Sequence, residues 1–241
     1  MISEIKENYR KYNEIYNEMC SGKKGDDLYK ILLENSLYLS VFTTFEEFLK
    51  ELIENYINNV DKQGIKFSDL SEGIALSYFL LLEKRIQSIF ETSNVEKQKK
   101  AFNSYFSVIG KKLNKQELQK HIHFEFLHEN KLNGYYRDLF EQLFNNRNFL
   151  DELKLKENID GYEDLDVISV GEDANTFLKE YTSKIRNNIA HQNQKFVIKG
   201  YTFKTVTEIF LFIIESMISA YEKNTGFQFI LEEKNILDDF S

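Results

Sequence analysis

The sequence predicts an all-α protein, and three observations carry that prediction. No proline occurs in 241 residues. Apolar residues recur at spacings of three and four over several long stretches, the period of one helical face. Hydrophobic residues make up 42% and charged residues 29%, the balance of a chain that folds around a core. Proline removes a backbone donor and clashes with the preceding turn, so its absence permits long helices. An A/T-rich gene would bias composition in the same direction, and there is no Trp beside 21 Phe and 14 Tyr.

The elements follow in order. A first helix spans about residues 3–20, with Gly22 and Gly25 after it. A long helix runs from about Asp27 to Val60, with Tyr38, Phe42, Phe45, Leu49, Leu52, Tyr56 and Val60 on one face. Asp61 to Gly64 ends it. Another helix covers 69–91. Ser93 and Glu96 have capping-box spacing for a helix over 94–109, and Asn114 and Glu117 repeat the signal for one over 115–129. Residues 135–157 read as less regular helix, and Ile159 to Val170 as loop or a short extended piece. A helix covers about Asp173 to Gln192. Lys195 to Phe203 alternates around Gly200, as a small β-hairpin or extended loop would. The last helix, about 204–223, puts Val206, Phe210, Ile213, Met217 and Tyr221 on one face. The tail after Gly226 is left unassigned. The expectation is a single domain over 1–241, an antiparallel helical bundle with insertions.

Cys20 is the sole cysteine, so neither an intrachain disulfide nor a Cys-based zinc site can form. The N-terminus runs straight into charged sequence, and Ile209 to Ile214, the most apolar stretch, is far too short to span a bilayer. The expected location is the cytoplasm, away from membranes. Net charge is −8, which argues against broad, nonspecific nucleic-acid binding without excluding a local site. Lys97, Lys99, Lys100, Lys111, Lys112, Lys115 and Lys120 cluster, and a solvated face is preferred over an RNA track.

One segment carries chemistry: Lys184-Ile185-Arg186-Asn187-Asn188-Ile189-Ala190-His191-Gln192. Leu178, Tyr181, Ile185 and Ile189 define a buried stripe. At about 100° per residue, His191 points roughly 140° from that stripe. Asn187 lies one turn before His191 on the same outward face, and Arg186 sits on the flank. An ordinary exposed Arg and His is the other reading. Arg147-Asn148 repeats the dipeptide with no His in range.

Arg186-Asn187-Asn188-Ile189-Ala190-His191 resembles the R-x4-6-H signature of HEPN ribonucleases, with the polar residue that group prefers after Arg. Leu33 to Ser40, leading into Phe45-Glu46-Glu47-Phe48-Leu49-Lys50-Glu51-Leu52-Ile53, is similar to the early helix of prokaryotic HEPN proteins. The resemblance covers roughly the first quarter and the last third. Residues from about 65 to 157 match no familiar pattern and are expected to be a family-specific helical insertion.

The resemblance implies a HEPN-type bundle and a metal-independent endoribonuclease that needs no cofactor. RNA supplies its own nucleophile, the 2′-hydroxyl. His191 suits general acid or base work near neutral pH. Arg186 offers a planar fork for phosphate oxygens, and Asn187 orients the His or binds phosphate through its amide. Products would carry a cyclic phosphate and a free 5′-hydroxyl. The family composes its site from two facing motifs, so a homodimer is expected, with small Ala190 permitting close approach. Expected partners are RNA and an antitoxin or defence-system protein, with a role as toxin or effector in antiphage defence or a toxin–antitoxin pair. The alternatives are a noncatalytic HEPN protein binding a nucleotide or a partner, and a structural helical adaptor.

Other candidates are weaker. His121, His123 and His128 form the remaining histidine cluster, with Glu125 and Glu129 nearby, and ordinary surface histidines are preferred over a metal site. Glu46 and Glu47 are candidates to support the motif helix or to cap a contact. Glu208 and Glu215 read as solvent-facing on the last helix. No phosphate-binding Gly loop and no nucleophile elbow occurs.

Overall fold

The computed structural model describes residues 2–20, 28–76, 87, 94–155, 158–159, 173–186 and 203–230, with backbone alone at 101, 104–109 and 184–186. Among them the fold is all-α. β-Pairing amounts to two isolated antiparallel bridges, Lys66 with Lys112 and Lys154 with Asp173. The hairpin expected over Lys195 to Phe203 lies outside the described residues except for Phe203, which opens the final helix.

The first two helices are α1 (Ile2–Met19) and α2 (Leu28–Gln63). A 3-10 turn, Phe67–Asp69, follows, then α3 (Val95–Ile109), α4 (Lys115–Leu118), α5 (Glu129–Asn133), α6 (Tyr135–Phe144) and α7 (Phe149–Glu152). α8 (Ala174–Glu180) continues into a π-helical turn, Tyr181–Arg186, and α9 (Phe203–Thr225) closes the order. Every residue assigned from sequence to the apolar faces of α2 and α9 is buried.

Side-chain pairs give the directions. Tyr38 packs edge-on to Phe203, Phe42 and Phe45 meet Phe210, and the Tyr221 hydroxyl donates to Asn55 Oδ1 at 2.7 Å. Numbers rise together, so α2 and α9 run parallel as a central spine. Against α9, α1 runs the other way: Tyr16 stacks on Phe203, Asn13 Nδ2 donates to Thr207 Oγ1 at 2.8 Å, and Lys6 pairs with Glu215 at 2.6 Å. α1 therefore runs antiparallel to both. Burying these rings contributes about 25 cal/mol per Å² of apolar surface, so the spine dominates stability.

The stretch 65–157 joins this core. α6 packs on α9, and Asn224 Nδ2 donates to the Leu143 carbonyl at 3.0 Å. Gln142 Nε2 donates to the Tyr56 hydroxyl on α2. Leu139, Phe140 and Leu143 belong to the same continuous cluster as Phe210 and Met217.

Two boundaries differ from expectation. The cap of α3 is Asn94, whose Oδ1 accepts from the Glu96 and Lys97 amides at 3.1 and 3.3 Å; Ser93 lies outside the described residues. The Asn114–Glu117 box forms as expected, yet the helix it starts ends at Leu118 instead of 129. Tertiary bonds take over the backbone there. The Tyr135 and Tyr136 hydroxyls donate to the His123 and Glu125 carbonyls, and Glu46 Oε1 accepts from the Leu127 amide at 3.3 Å. Residues 123–128 thus form a non-helical strap. Residues 135–157 resolve into α6, a left-handed Asn145 and the short α7, with 156 and 157 outside the description. Of 69–91, residues 72–76 and 87 are helical and 77–86 and 88–91 lie outside it, as do most of 159–170 and residues 231–241.

Candidate functional site

The segment that carries the Arg/His motif is prepared by α8. Asp173 caps that helix, its Oδ1 accepting from the Thr176 amide at 2.9 Å. The helix entry is pinned a second time, where the Ala174 amide donates to the Leu153 carbonyl at 3.0 Å. Asp151 on α7 then clamps the first turn. Its carboxylate accepts from Asn175 Nδ2 at 2.6 Å and from Arg137 Nη2 at 2.9 Å. The guanidinium matches the demand of a half-buried carboxylate, and the amide ties α8 to the pair.

One turn further on, the helix locks into the spine. Phe177 and Tyr181 each lie edge-on to Phe210, and Tyr181 stacks on Phe42. The Tyr181 hydroxyl donates to the Tyr38 carbonyl at 3.0 Å. Burial pushes that phenol well above its ordinary pKa, so it stays neutral and serves as a fixed donor. Thr182 Oγ1 donates to the Leu178 carbonyl at 2.7 Å, where the helical ladder changes character. Such back-bonding loosens and bends helices.

From Tyr181 to Arg186 the backbone is π-helical. A π turn carries an extra residue between hydrogen-bonded partners, and such turns recur at functional sites. It corrects one step of the sequence argument. The stripe of Leu178, Tyr181, Ile185 and Ile189, and the roughly 140° assigned to His191, assume an unbroken helix at about 100° per residue. The helix over Asp173 to Gln192 is instead α to Glu180 and π to Arg186, so that angle no longer follows. Leu178 and Tyr181 are buried as expected. Arg186 closes the π turn with its backbone alone described; Asn187, Ile189, Ala190 and His191 lie outside the described residues. The chain enters the motif from the core at Tyr181 and re-enters the core at Phe203, and both rings pack around Tyr38 or its carbonyl.

The remaining candidates have defined places. His121 is buried, and burial, then the charges of Lys120 and His123, hold its pKa below the ordinary value. His123 Nε2 lies 3.1 Å from Glu125 Oε1, and Lys131 pairs with the same carboxylate. His128 is exposed at the start of α5. The shared helical face expected for His121 and His128 does not form, because residues 123–128 are the strap. No group of three or more His, Cys, Asp or Glu is arranged to hold a metal among the described residues. Glu46 serves the strap through Leu127, while Glu47 is exposed. Glu208 pairs with Lys204 at 3.4 Å and Glu215 with Lys6, both toward solvent. No helix among the described residues is long and apolar enough to cross a membrane. The π turn and the Asp151 clamp were missed from sequence, since neither has a local signature. No family model, curated protein or solved structure matches this chain.

Proposed function

We propose that this chain is a HEPN-type, metal-independent endoribonuclease, a cytoplasmic toxin or effector of antiphage defence or of a toxin–antitoxin pair. In this reading a homodimer brings two copies of Arg186, Asn187 and His191 around one scissile phosphodiester. His191 moves the 2′-hydroxyl or leaving-group proton, Arg186 neutralises the phosphorane, and Asn187 orients one or the other. One Arg and one His make a thin site; two facing pairs supply both an acid and a base.

The observation that carries the reading is the Arg186-Asn187-…-His191 spacing, set on a helix fixed into the core at Tyr181. A rigid platform supports positional catalysis, which loses rate steeply with small misplacements. The π turn that ends at Arg186 is the kind of departure found at working sites.

The test is cleavage of total RNA by purified protein with EDTA present. Wild type is expected to cleave, and His191→Ala and Arg186→Ala to lose at least about 100-fold. Equal cleavage by all three, or none by wild type, sinks the proposal. A protein that cleaves while sedimenting as a monomer rules out the composite site. Induced expression gives a cellular readout: growth arrest by wild type alone supports a toxin, and equal growth favours the noncatalytic binding reading.

A further inference from the structure

The feature that the motif leaves unused is α3. At about 100° per residue, Val95, Lys99 and Phe102 fall within about 60° of one another. An amphipathic helix ordinarily buries such a stripe. Here Val95 is 59% and Phe102 57% exposed. With Gln98, Lys99 and Asn103 they line an open groove of about 670 Å³. One aromatic ring, one ammonium and two amides share its wall.

Charge decides what such a wall suits. Residues 94–120 hold seven lysines against two acids, Glu96 and Glu117, leaving +5 in a chain of net −8. Both acids are already engaged, Glu96 with Lys99 at 3.6 Å and Glu117 with Lys111. Lys97, Lys100, Lys115 and Lys120 are exposed and form no ion pair among the described residues. A face meant only for solvation needs neither the open ring nor this excess. The surrounding negative charge disfavours a polyanion elsewhere and confines it here.

We propose that α3 and the lysines that follow it bind single-stranded RNA, with phosphates on the lysines and a base stacked on Phe102. Stacking plus ammonium groups is how single strands are held without sequence demands, and amides such as Gln98 and Asn103 can meet base edges. The surface is separate from Arg186 and His191; its role as a substrate track rests on the ribonuclease reading. It also reverses the preference for a plain solvated face, because the stripe that would be buried in one is open.

The experiment uses the full chain carrying His191→Ala, so that RNA survives, and fluorescence anisotropy with a labelled single-stranded RNA at several salt concentrations. Adding Lys97→Glu, Lys100→Glu and Lys115→Glu together should weaken binding at least tenfold. The slope of log K against log salt should fall by about 2, at roughly 0.7 per lost phosphate contact. Phe102→Ala should weaken binding about tenfold with the slope unchanged. Circular dichroism checks the fold, and the milder Lys→Gln set substitutes if charge reversal reduces helicity. Unchanged affinity and slope in the lysine variants overturns the proposal, as does equal displacement by polyglutamate, which would mark an acidic-protein surface. If the lysine variants lose binding while wild-type protein cleaves no RNA, the nuclease reading fails and this surface stands.

Discussion

α9 and α3 are both amphipathic by the same periodicity, and their fates differ. In α9, Val206, Ile209, Phe210, Ile213, Ile214 and Met217 are fully buried. In α3, the corresponding stripe keeps Val95 and Phe102 open. The 3.6-residue period identifies which side chains share a face; what covers the face is decided by the rest of the chain. α9 has α1, α2 and α6 around it. That difference separates a helix that holds the molecule together from one available to a ligand.

The comparison breaks most readily at high pH, because the α9 side is built around neutral phenols. Burial pushes Tyr56 to about 12, and Tyr9, Tyr38 and Tyr181 higher still. A phenol with a raised folded pKa holds its proton more tightly when folded. Its stabilisation is complete below about pH 10, the unfolded value, and drains as pH climbs toward the folded one. Each such group costs about 1.4 kcal/mol per pH unit there, so four remove about 5 kcal/mol per unit. Cooperative unfolding with burst-like phenolate absorbance is expected near pH 11. Gradual titration of every tyrosine near pH 10 with helicity retained would remove the buried-phenol core.

Phe210→Ala comes next. It deletes the ring that meets Phe42, Phe45, Phe177 and Tyr181, and should cost about 3–5 kcal/mol in chemical denaturation. Asp173→Ala should cost about 1 kcal/mol through loss of the α8 cap. Phe102→Ala closes the series with a change within about 0.5 kcal/mol. A Phe102 effect approaching that of Phe210 would show that α3 is covered after all and leave nothing for RNA to stack on.

Legibility followed the same divide. Local signals read true where local forces decide: the α2 and α9 faces, and the caps at Asn114 and Asp173. They failed where distant groups compete for the backbone. Residues 119–128 leave the helix because Tyr135, Tyr136 and Glu46 claim its carbonyls and an amide. The π turn begins where Tyr181 and Thr182 are tied to Tyr38 and Leu178, and only the second of those ties is local. For the motif itself, sequence supplied the residue types and their spacing, while the approach to it through the Asp151 clamp depended on α7, more than twenty residues upstream.

The parallel spine has a kinetic consequence. Parallel neighbours cannot be joined by a tight turn, so α2 and α9 are bridged by everything between them, and the Asn55–Tyr221 contact spans 166 residues. Closing so long a loop is entropically costly before its contacts reward it. The core therefore waits on the last helix to be synthesised, and a chain released before Phe203 lacks the partner for nearly every buried ring of α2. For a protein read as a toxin, activity would then arrive only with the final stretch of translation.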